Sequence, residues 1–98
     1  MRMMLKVSIP VEAGNAGFKD GSLGKGIQEA MDTLKPEAAY FFAENGQRTS
    51  LYVFDMEDSS QIPVIAEPLF QNLNADLTLI PVMNAEDVKK GMEDASKG

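Results

Sequence analysis

From Met3 to Ile9 apolar and polar positions alternate, with Met3, Leu5, Val7 and Ile9 on one side and Met4, Lys6 and Ser8 on the other. A period of two predicts a half-buried strand, which Pro10 ends. Leu23, Ile27, Met31 and Leu34 then recur at helical spacing, with Ala30 filling the same stripe. This predicts a helix over about 22–35, stopped by Pro36. Gly14, Gly17, Gly21, Gly24 and Gly26 crowd the segment leading into it. Each glycine costs roughly 1 kcal/mol relative to alanine inside a helix, so only a looser helical turn is expected around 15–19. Two further strands are predicted over 38–43 and 49–56. Asp58 or Ser59 should cap the next helix, whose stripe is Ile62, Ile65, Ala66, Leu69, Phe70 and Leu73. Pro63 suits its first turn, whereas Pro68 removes the bond to the Val64 carbonyl and predicts a kink. A last strand over about 75–83 leads to Asn84, the cap of a terminal helix through Val88 and Met92, with fraying expected from about residue 95.

The hairpin at Glu44-Asn45-Gly46-Gln47 leaves its register open, and the register decides which aromatics share a face. A two-residue type I′ turn groups Tyr40 and Phe42 with Leu51 and Val53. A type I turn with a bulge at Gly46 groups them instead with Arg48, Ser50, Tyr52 and Phe54. The bulged turn gives the cleaner helix-facing set, Ala39, Phe41, Ala43, Leu51 and Val53, and is preferred on that ground. In either register the strands are apolar on both sides, and one layer of helices covers only one of them. An uncovered aromatic face should bury against a second copy, a ligand or both.

The 98 residues are expected to form one domain with an ordinary globular balance of 44 % apolar and 24 % charged residues. A formal charge of −6 argues against a sequence-independent grip on nucleic acid. No apolar run approaches membrane-spanning length and the N-terminal stretch lacks a secretory pattern, so neither a membrane nor export is expected and the cytoplasm is the expected compartment. The chain has no cysteine and no histidine. Disulfides, thiolate chemistry and the commonest transition-metal ligand are therefore excluded, and neither a metal nor a cofactor is expected.

The candidate chemistry is sparse. Gly24-Lys25 resembles part of a phosphate loop, but the pattern needs glycine where Lys19 stands and Ser or Thr where Gly26 stands. Tyr40, Phe42, Tyr52 and Phe54 are candidates for a pocket or a dimer core on the second sheet face. Lys6 projects there, joined by Arg48 in the preferred register, and the two cations could receive a carboxylate or phenolate or else pair with Asp76. Glu67, just before Pro68, is a candidate proton acceptor if desolvated, or a solvated helix residue. Glu57-Asp58 and Glu86-Asp87 read as helix-start charges.

The order of elements, with the amphipathic outer sheet face, resembles the dimeric α/β-barrel branch of the ferredoxin-like fold. That resemblance implies an α+β βαββαβ domain with a C-terminal helix, an antiparallel sheet, and two sheets packed face to face. At closer range Lys35-Pro36-Glu37-Ala38-Ala39-Tyr40-Phe41, Asn45-Gly46-Gln47-Arg48, Ala66-Glu67-Pro68-Leu69-Phe70 and Pro81-Val82-Met83 resemble a family of small bacterial proteins, some labelled "panthothenate synthetase". True enzymes of that name resemble much longer Rossmann-type transferases with paired histidines, which this chain lacks, and the small-protein family has no agreed catalytic residues to carry over. The expected function is a non-enzymatic homodimer holding a small hydrophobic or aromatic acid between its sheets. The alternatives are a cofactor-free isomerase or monooxygenase using Lys6, Tyr40, Tyr52 or Glu67, and a protein-interaction module.

Overall fold

In the computed structural model, which describes residues 1–98, the chain runs β1 (Arg2–Ile9), α1 (Val11–Asp20), α2 (Ser22–Leu34), β2 (Ala38–Glu44), β3 (Gln47–Asp55), α3 (Gln61–Leu73), β4 (Asp76–Pro81) and α4 (Ala85–Ser96). The strands form one open antiparallel sheet in the order β2-β3-β1-β4. This α+β arrangement matches a ferredoxin-like βαββαβ fold with a C-terminal helix. The alternation read in β1 decides which side is core. Met3, Leu5, Val7 and Ile9 are buried beneath the helices, while Met4, Lys6 and Ser8 are only half-buried on the other side.

α1 is a regular ten-residue helix rather than a loose turn. Gly14 leaves room for a side chain from β3: a Cβ there would stand 2.5 Å from Arg48 Nη1. The α2 stripe packs as its spacing predicts, with Leu23 and Leu34 buried and Ile27, Ala30 and Met31 against the core. In α3 the residues Ile65, Ala66, Leu69 and Leu73 face inward. Ile62 and Phe70, expected in the same stripe, are each 41 % exposed. Ser60, not Asp58 or Ser59, precedes the first helical residue of α3. Pro68 sits inside the helix, as expected.

The preferred hairpin register is wrong. Glu44 pairs with Gln47, leaving a two-residue turn in which Asn45 (φ 54°) and Gly46 (φ 73°) are both left-handed. That is the type I′ geometry whose twist matches the flanking strands. There is no bulge, so every β3 side chain lies on the opposite face from the one preferred. Tyr52 and Phe54, each 2 % exposed, belong to the helix-side core, while Leu51 and Val53 join the outer face.

α4 continues to Ser96. Its start is fixed by a reciprocal capping box: the Asp87 amide donates to Asn84 Oδ1 at 2.8 Å, and the Asn84 amide to Asp87 Oδ2 at 3.1 Å. Yet none of its residues is buried.

Candidate functional site

Two features stand apart from the core: the outer face of the sheet and a cavity among the helices. Strand pairing lays the outer face in three rows. Ile80, Met4, Val53 and Ala38 form the first, Thr78, Lys6, Leu51 and Tyr40 the second, and Asp76, Ser8, Thr49 and Phe42 the third. Alternation alone puts these residues together, because each strand sends its other set beneath the helices. The face is apolar along the first row and toward β2, with Tyr40 61 %, Phe42 41 % and Ile80 43 % exposed. No helix of the chain covers them.

Three of the polar groups on this face are paired within the chain, those of Lys6, Ser8 and Thr49. Lys6 bridges to Glu44 rather than to Asp76, reaching along the face toward the hairpin. The Ser8 hydroxyl donates to Gln47 Oε1 at 2.8 Å, and the Thr49 hydroxyl to the Gln47 carbonyl at 3.1 Å. Glu44 shares a face with Tyr40 and Phe42 by simple alternation, so this partner of Lys6 was readable once the turn is taken as type I′.

The proposed group of site residues does not assemble. Lys6, Tyr40 and Phe42 share the outer face. Arg48 lies on the helix side opposite Ile9, where its Nη2 donates to Asn15 Oδ1 at 3.0 Å and ties β3 to α1. Tyr52 packs edge-on to Phe41 with ring centroids 5.9 Å apart, and Phe54 lies beside Met3. Glu67 is on the exposed side of α3, accepting a hydrogen bond from Gln71 Nε2 at 3.3 Å. A proton-transfer set built from Lys6, Tyr52 and Glu67 is therefore split between two sides of the sheet and the outside of a helix. No group of three or more His, Cys, Asp or Glu side chains gathers as a metal ion would require. No helix is long and apolar enough to cross a membrane.

The second feature escaped the sequence. A cavity of about 420 Å³ opens between α2 and α3. Leu5, Leu34, Leu69 and Leu73 contribute to its aliphatic wall, and Lys25, Glu29, Thr33 and Asn72 supply polar groups. Val64 and Pro68 both line it, and the Val64 carbonyl has no helical donor because Pro68 has no N–H. The kink predicted at Pro68 was the available signal. Periodicity alone does not show that two amphipathic helices leave a space between them.

At the end of the sheet Arg2 bridges two elements, with Nε donating to Glu37 Oε1 at 2.7 Å and Nη1 to Asp87 Oδ2 at 2.9 Å. The Glu37 hydrogen bond chiefly holds the guanidinium pKa above its usual value. Arg2 thereby fastens the first turn of α4 to the sheet. Asp87 is more than a macrodipole charge: it caps its own helix and anchors it.

Compared with protein-family models and with curated proteins, the chain matches none.

Proposed function

We propose that this protein works as a homodimer whose outer sheet faces pack together, and that the space between them takes a small hydrophobic or aromatic acid. The observation that supports this reading is the row pattern of the outer face. Tyr40, Phe42 and Ile80 stand exposed around the half-covered Met4, Leu51 and Val53. Burying apolar surface is favourable by roughly 25 cal/mol per Å², and a sheet face of this kind gains that only against another surface. A two-fold axis makes one such face its own complement. Lys6 is the cation on the face, and an incoming carboxylate would take the place of Glu44 as its partner.

Sedimentation equilibrium of Phe42→Asp against the unmodified chain tests the dimer. The substitution puts a charge on the outer face without touching the core. The reading expects at least a tenfold weaker association with unchanged circular dichroism, and an unaltered dimer would contradict it. Titration with benzoate, followed by NMR shifts, tests the ligand. Shifts centred on Lys6 and Tyr40, lost in Lys6→Met, are expected. Shifts centred instead on Leu69 and Leu73 would move the site to the α2–α3 cavity.

A further inference from the structure

The open surfaces of the chain are not confined to the outer face. β2 is an edge strand, and Tyr40, Phe41 and Phe42 in it are 61 %, 54 % and 41 % exposed. Phe41 points to the helix side, opposite Ser50. Packing two outer faces together leaves it bare. An edge strand with three consecutive exposed aromatics invites uncontrolled pairing, and native proteins commonly cover such an edge with a helix or loop.

α4 is a helix without a surface to cover. Val88 and Met92, one turn apart on one side, are 42 % and 69 % exposed. A lone helix of this length is marginal in water and needs its apolar side packed. Only its first turn is held, by the capping box and by Arg2. The remainder stands off the body: the molecule measures 55 × 28 × 18 Å, with a radius of gyration of 15.6 Å. A compact chain of this length has a radius near 13 Å. Anionic lipid is a poor occupant for α4, because Glu86, Asp87, Glu93 and Asp94 outnumber Lys89 and Lys90.

We infer that α4 is an exchanged arm, its Val88–Met92 side packing over the β2 edge of the second copy against Phe41, the aromatic that face-to-face packing leaves bare. This rests on the dimer reading and deepens it. Area supports the arm. Four strands at ~4.8 Å spacing and ~3.3 Å per residue give an outer face of about 400 Å². A stable complex buries about 800 Å² on each partner. A twelve-residue helix about 18 Å long and ~10 Å wide covers about 180 Å². Each copy both gives an arm and receives one, which brings the total close to that requirement. Methionine against aromatic rings is also a favourable contact.

The chain has no cysteine, so single substitutions give an unambiguous cross-linking test. Chains carrying Met92→Cys are mixed with chains carrying Phe41→Cys under mild oxidation, and separately with chains carrying Glu12→Cys, an exposed position on α1. The arm predicts at least tenfold more mixed cross-link with Phe41→Cys than with Glu12→Cys. It also predicts that Val88→Asp with Met92→Asp weakens association at least tenfold while the circular dichroism of the sheet persists. A dimer that cross-links equally in both mixtures and tolerates the double substitution overturns the arm and leaves the dimer standing. A wild-type monomer overturns both.

Discussion

Tyr40 and Tyr52, the two tyrosines of the chain, stand on opposite faces of the same sheet: Tyr40 is 61 % exposed and Tyr52 is 2 % exposed. They belong to neighbouring strands, Tyr52 opposite Ala39 and Tyr40 opposite Leu51. One residue type therefore serves two purposes, core packing in β3 and an open surface in β2.

Substitution should separate those purposes. Tyr52→Ala removes a buried aromatic and should cost about 3–5 kcal/mol of folding free energy. Tyr40→Ala should change the stability of the isolated subunit by no more than about 0.5 kcal/mol. Urea unfolding at low protein concentration measures both. Equal losses would return Tyr52 and Tyr40 to a common face and restore the bulged turn.

The contact of Gly14 with Arg48 makes a second prediction. Gly14→Ala places a methyl against the guanidinium that reaches Asn15, so Arg48 must shift and the roughly 1 kcal/mol that alanine contributes to a helix should be largely offset. In an Arg48→Ala background the same change should be stabilising, since alanine favours the helix. A double-mutant cycle by urea unfolding reads the coupling. Additive effects would show that Gly14 is not held to glycine by Arg48.

Two aspartates should titrate early. The Ser22 hydroxyl and backbone N–H hold the Asp20 carboxyl below its ordinary value of 3.8, and the Ser60 hydroxyl does the same for Asp58. A folded-state pKa below the unfolded one stabilises the fold above the unfolded value and loses that contribution as pH falls through the folded value. The acid limb of the stability profile should therefore steepen below about pH 4. Carboxyl carbon NMR shifts measure the individual titrations. Ser60→Ala should return Asp58 toward 3.8 and leave Asp20 depressed; midpoints above 3.8 in the unmodified protein would refute both assignments.

Much of the architecture was legible because period-two and period-3.6 patterns record burial directly. β1 and α2 pack their predicted apolar sides inward, and α3 does so except at Ile62 and Phe70. The glycine-rich α1 was not legible as a full helix, because Gly14 answers to Arg48, a residue distant in sequence, and Gly17 to the start of the next helix at Ser22 and Leu23. The hairpin register failed for a local reason. Choosing the tidier helix-facing set outweighed the Asn-Gly pair, whose positive φ angles are what a type I′ turn requires. That choice misplaced Arg48, Tyr52 and Phe54 together. Lys6, Tyr40 and Phe42 share a face in either register, and they alone of the candidate residues lie on the outer surface.

Multi-angle light scattering of the full chain at micromolar concentration decides whether the outer sheet face belongs to an interface between two copies. A mass twice the 10.7 kDa of one chain is expected. A single species at the mass of one chain across that range would rule the interface out.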